Sequence, residues 1–117
     1  MKNQAFFDSY LECARWASND DNDNPLDSIE NIDREMSGIA LAKMEKDCDR
    51  FLTENEKILE GLDMEKAGHN FWLTRNHHGA GFWNGDYEEN VGEILTKACE
   101  SFGEINLYVG DDGKLYL

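Results

Sequence analysis

Apolar residues recur at helical spacing in three stretches of the chain. Between residues 3 and 18, Phe7, Tyr10, Ala14 and Ala17 fall every three or four positions, and Phe6, Leu11, Cys13 and Trp16 widen the same face. Asp8, Glu12 and Arg15 lie mostly between them, so the pattern predicts one amphipathic helix ending near Ser18. From about Ser37 to Glu60, Leu41, Met44, Cys48, Phe51 or Leu52, and Ile58 or Leu59 repeat in the same way. Acidic and basic residues from Glu45 to Lys57 fill the other side, and Gly61 is placed to close the helix. A third helix is predicted over Tyr87 to Phe102, with Val91, Ile94, Leu95, Ala98, Cys99 and Phe102 inward. Asp86 with Glu89, or Asn90 with Glu93, offers it a capping box, and Gly103 ends it.

Period-two patterning appears twice. Phe71 and Leu73 alternate with Trp72 and Thr74, Asn76-His77-His78-Gly79 supplies a turn, and Phe82-Trp83 resumes the strand signal up to Asn84-Gly85. Ile105, Leu107 and Val109 alternate with Asn106 and Tyr108; Gly110-Asp-Asp-Gly113 is a hairpin turn and Leu115-Tyr-Leu117 the returning strand. Asn19 to Pro25 is rich in turn formers and reads as an exposed loop. Leu26 to Met36 reads as a short helix with Ile29 and Ile32 inward. The expected fold is one α+β domain over residues 1–117, in which N-terminal helices and one further helix pack on a small antiparallel sheet of two hairpins.

Composition narrows the function. Of 117 residues, 40% are apolar and 11% aromatic, which supports one modest core and excludes a disordered acidic chain. The formal charge of −14 disfavours direct contact with nucleic-acid phosphates or an anionic membrane, and favours protein partners with basic surfaces. Cys13, Cys48 and Cys99 stand far apart within apolar patterns, as reduced buried thiols do, and the N-terminal residues lack the run of a signal peptide. With no apolar segment of bilayer length, these features place the protein in the cytoplasm.

Candidate chemistry is sparse. In the acidic loop, Asn19, Asp21, Asp23, Asp27 and Glu30 occupy positions one, three, five, nine and twelve of a calcium-binding ladder. Asn19 stands for the leading aspartate, however, and Asn24 for the glycine of the sharp bend, so a solvated loop is the preferred reading. His77, His78 and Asp86 form an alternative metal set, without an HxH or HExxH spacing to support it. No thiol is patterned as a nucleophile, Gly79-Ala-Gly81 lacks the lysine of a phosphate loop, and no cofactor motif occurs. An enzyme is disfavoured. All three histidines and two of the three tryptophans lie between residues 68 and 86, which makes the turn at Asn76 to Gly79 a candidate contact site.

The strings Gly68-His-Asn-Phe-Trp-Leu-Thr-Arg-Asn-His-His-Gly-Ala-Gly-Phe-Trp-Asn-Gly-Asp86 and Leu107-Tyr-Val-Gly-Asp-Asp-Gly113 resemble a recurring family of small, mostly uncharacterised bacteriophage proteins. The resemblance covers the C-terminal half and carries no catalytic residues. It implies a phage product acting in the cytoplasm of an infected bacterium, where small acidic proteins often inhibit host defence or nucleic-acid enzymes. The expected function is therefore that of an interaction protein that binds and inhibits a host protein with a basic surface, with mimicry of nucleic-acid charge as one means. Asp20, Asp21, Asp23, Asp27, Glu30, His77, His78 and Trp83 are the expected contact residues. A small metal-binding protein or enzyme, and a self-associating structural or assembly subunit, are the alternatives.

Overall fold

The computed structural model describes residues 3–83 and 87–117. Among these residues five helices and one two-stranded sheet follow one another: α1 (Gln4–Trp16), α2 (Gly38–Glu54), α3 (Glu56–Leu59), α4 (Met64–Arg75), α5 (Glu89–Glu100), β1 (Tyr108–Val109) and β2 (Leu115–Tyr116). The α+β class holds, with helix dominating.

Side-chain caps fix the starts of α1, α2 and α4. The Asn3 side chain accepts the amide of Phe6 at the start of α1, and Ser37 accepts that of Ala40 at the start of α2. The Asp63 carboxylate takes the amides of both Glu65 and Lys66 and opens α4. The single helix expected from Ser37 to Glu60 breaks at Asn55, whose amide side chain bonds back to the Phe51 carbonyl. The chain then makes the one-turn α3 and turns away at Gly61, where φ is +82°.

The largest departure from the sequence pattern is at residues 64–83. Phe71-Trp72-Leu73 is not a strand but the middle of α4, and no hairpin forms there; the expected strand end at Asn84-Gly85 lies outside the described residues. α4 is the axis of the molecule. Ala67, Gly68 and every residue from Asn70 to Arg75 are buried, so from Asn70 onward it has no solvated face to give it a helical period. An enclosed stretch of helix such as Phe71-Trp72-Leu73 and a buried strand produce the same short apolar run.

α1 lies along α4, and their approach is close enough that a Cβ on Gly68 would collide with the Phe6 carbonyl. Phe6, Tyr10, Phe51, Phe71, Trp72 and Phe82 form one aromatic core, with Phe51 and Phe71 stacked at 4.3 Å between ring centres. α2 contributes Met44, Cys48 and Phe51, and α5 contributes Leu95 and Cys99. All three thiols are buried and unpaired, and burial pushes the thiols of Cys13 and Cys99 up to about 12, so they are inert at neutral pH.

The C-terminal hairpin is present but shorter than expected, its first strand beginning at Tyr108 rather than Ile105, with Tyr108 opposite Tyr116, Val109 opposite Leu115, and Gly113 in the turn at φ +83°. Instead of joining a second hairpin, β2 is clasped by the segment preceding α2. Leu115 donates to the Glu35 carbonyl, and Ser37 donates to that of Leu115, each at 2.8 Å.

The core also holds a buried ion pair. The Arg75 side chain is fully enclosed; its Nη1 donates to the Asp47 carboxylate at 2.8 Å and to the Tyr10 hydroxyl at 3.0 Å. Its Nε and Nη2 take the carbonyls of Gly103 and Phe102, just beyond the end of α5. Lys43 closes on the other Asp47 oxygen at 2.9 Å. Burial works against the charge of Arg75, but the Tyr10 oxygen and the Asp47 carboxylate outweigh it and hold its pKa above the ordinary arginine value. One residue thus ties α4 to α1, α2 and the end of α5.

Candidate interaction surface

The acidic loop is built, not loose. Its ends meet in a bridge between Asn19 and Pro25, Leu26 plugs it into the core, and the buried Asn31 side chain donates to the Pro25 carbonyl and accepts from Arg34 Nε. Asp20 belongs to this scaffold. Its carboxylate accepts the amides of Asn22 and Asn24 and the side chain of Asn31, and the bonds from Asn24 and Asn31 hold its pKa below the usual carboxylate range. It is therefore a residue that shapes the loop as well as one of its half-exposed carboxylates.

Asp21, Asp23, Asp27 and Glu30 are exposed, as is Asn19. A calcium ladder requires them to turn inward between flanking helices, whereas residues 26–33 make successive turns and no helix follows the loop. Among the described residues, no three histidine, cysteine or acidic side chains converge on a point where a metal would sit. Asp86, from the histidine set, lies outside the described residues.

The helix expected over residues 26–36 is replaced by those turns, with a consequence for Ile29 and Ile32. Both point outward, Ile29 with 92% of its surface exposed and Ile32 with 60%. Without a helix they have no common inner face, and Leu26 and Asn31 are the buried residues of these turns. Ile32 instead joins Trp16, His69, Glu12 and Asp27 along a groove of about 530 Å³ between α1, α4 and the loop. Trp16 is 58% exposed and its ring lies tilted over that of His69, with centres 5.7 Å apart. Of the expected contact residues only Asp27 lines this groove. Periodicity assigned Trp16 to the edge of an inner face and Ile32 to the interior, so the groove was not legible from spacing.

The histidine doublet has a different role from the expected turn of a hairpin. Asn76 ends α4, His77 takes the left-handed conformation at φ +54°, His77 donates to the Thr74 carbonyl and His78 to that of Leu73. These two bonds close a helix C-terminus in the manner usually given to glycine. The His77 ring is exposed and stands 3.6 Å from the Glu104 carboxylate, while His78 shares a polar cleft of about 390 Å³ with Asn19, Asn76 and Asn106. Replacing His77 with glycine relieves its left-handed backbone, and we expect a gain of about 0.5–1 kcal/mol in stability, measured by urea unfolding. An equal or lower midpoint would show that the imidazole itself supports the fold.

Trp83 stands apart from both features. It is 47% exposed and lines a cleft of about 680 Å³ with Phe82, Tyr87 and Ile94, in which the Tyr87 hydroxyl accepts a bond from Asn70 at 3.0 Å. The structure thus distributes the expected contact residues over several places: Asp27 in the apolar groove, His78 in the polar cleft, and Trp83 beside α5.

The four arginines are all turned to the chain itself. Arg15 donates to the Arg34 carbonyl, Arg34 to Asn31 and the Gly113 carbonyl, Arg50 to Glu54 and Ser101, and Arg75 to the buried set. Asp8, Glu12, Asp21, Asp23, Asp27, Glu30, Asp33 and Glu35 face solvent along α1 and the loop. No helix among the described residues is long and apolar enough to cross a membrane. Comparison of the chain with family models, with curated proteins and with solved structures gives no match.

Proposed function

We propose that this protein is a non-enzymatic binding protein whose acidic surface captures a host protein bearing a basic face and inhibits it, in the setting of a phage infection. The observation that carries the reading is the acidity of one stretch: along α1 and the loop eight carboxylates are exposed against the two basic residues Arg15 and Arg34, around an exposed tryptophan and two exposed isoleucines. A field of net charge −14 accelerates encounter with a basic partner, and salt at physiological strength screens it beyond about 8 Å. The inhibitory role and the phage setting rest on the resemblance of residues 68–86 and 107–113. The exposed apolar side chains favour a docked contact over mimicry by charge alone, because phosphate mimicry has no use for them.

Immobilised protein is expected to retain a basic protein from bacterial lysate at low salt and release it at high salt. The captured protein, once purified, should bind again with the same salt dependence and lose its own activity on saturation. Absence of any salt-sensitive partner would remove the reading; binding with undiminished activity would remove the inhibitory part.

A further inference from the structure

The groove beside Trp16 serves no evident purpose in the fold. Its α1 wall is made by Ser9, Glu12, Cys13 and Trp16, a single face running for two turns, about 10 Å at the rise of an α-helix. Ile32 stands on the loop side and His69 on the α4 side, under the Trp16 ring. A tryptophan already laid against a neighbour gives up little freedom on binding, which is the condition for an anchor residue. Ile29, on the same run of turns as Ile32, is almost wholly exposed.

Charge settles what fits beside these apolar groups. Glu12 and Asp27 line the groove and outnumber Arg15, which keeps its charge while its Nη2 donates to the neutral Arg34 carbonyl, so the lining is net acidic. No strand borders it, so an extended segment would find no ladder to join, whereas a helix satisfies its own backbone. A second copy of the chain is disfavoured because it would bring one −14 surface against another.

We propose that this groove receives an amphipathic basic helix of the partner, with an aliphatic side chain seated between Trp16 and Ile32 and lysines or arginines set against Glu12 and Asp27. This rests on the reading of the protein as a binder of basic surfaces, and gives it a location.

The test is calorimetric titration at low salt with a synthetic amphipathic peptide of leucine and lysine, and with its leucine and glutamate counterpart. The lysine peptide should bind the wild type and Ile39→Ser, a change at an exposed isoleucine of α2 outside the groove. It should bind Trp16→Ala/Ile32→Ser at least about tenfold more weakly, the loss typical of an anchor residue. The glutamate peptide should not bind. Ile32→Lys alone, at an exposed position, should also weaken the lysine peptide and serves if the double variant does not fold. Undiminished binding by the groove variants would overturn the groove and leave the charge reading standing. Failure of the wild type to bind at low salt would overturn both, and equal binding of the two peptides would overturn the charge complementarity on which the inference depends.

Discussion

Replacement of Asp47 by alanine is expected to lower the stability of the protein by about 3–5 kcal/mol, seen as a reduced midpoint of urea unfolding. The carboxylate lies 2.8 Å from Arg75 Nη1 and 2.9 Å from Lys43 Nζ, and the Arg75 side chain has no contact with solvent. Removing Asp47 leaves a buried guanidinium whose remaining partners are the neutral Tyr10 hydroxyl and two backbone carbonyls. Lys43, half-exposed, can turn to water; Arg75 cannot. A domain of this size has a total stability of about 5–15 kcal/mol, so the variant sits near the edge of folding. Asp47→Asn, which retains an acceptor but no charge, should lose less. Pairing Asp47→Leu with Arg75→Met should recover part of the loss, because apolar groups of similar volume replace an ion pair at little cost. Recovery stays incomplete, since the carbonyls of Phe102 and Gly103 lose the donors that close the end of α5, at about 1 kcal/mol each. A single Asp47→Ala change costing under 1 kcal/mol would mean that water reaches Arg75.

How much of this was legible in the residues depends on whether an element has a polar face. α1 and α2 show one to solvent, so their apolar positions recur every three or four residues and their caps at Asn3 and Ser37 follow from local chemistry. The C-terminal hairpin is equally local, since Gly110-Asp-Asp-Gly113 sets its turn. From Asn70 onward α4 has no such face. Its Phe71-Trp72-Leu73 run matched a strand because tertiary enclosure, which spacing does not record, surrounds it with α1, α2 and α5. Its signals were the capping Asp63 and the His77-His78 pair, but histidine in the left-handed conformation is not the residue usually sought there.

The candidate surface was legible only in its charge. The excess of carboxylates, the exposed loop and the outward Asp27 follow from composition and turn chemistry. The groove does not, because it depends on the loop lying against α1 and His69 of α4, with bonds between Asn31 and Pro25, Asp20 and Arg34 holding the loop in the form that leaves Ile29 and Ile32 outward. An amphipathic count placed those isoleucines in the core, and only the folded arrangement of the turns reverses it. The same loop that looked like a cation ladder therefore acts as a scaffold for an apolar edge with acidic neighbours.

Gly68 gives the second large effect, and here two principles oppose each other. Within a helix, glycine to alanine ordinarily gains about 1 kcal/mol, because alanine restricts the unfolded chain and glycine does not. At Gly68 the added methyl meets the backbone carbonyl of Phe6, a group that cannot rotate away as a side-chain tip would. α1 and α4 must separate to admit it. That movement loosens Phe6 and Tyr10 from Phe71 and carries the Tyr10 hydroxyl off Arg75. Overpacking of this kind costs about 1–3 kcal/mol, and the disturbed polar set adds to it, so the clash outweighs the propensity gain. Gly68→Ala is expected to lose about 2 kcal/mol in urea unfolding, and Gly68→Val to lose more. Gly38→Ala, at a helix start with open space around its Cβ, is expected to cost nothing and serves as the control. Were Gly68→Ala as stable as the wild type, the close crossing of α1 and α4 would be wrong. The Asp47–Arg75–Tyr10 arrangement, which needs α1 at that distance, would fall with it.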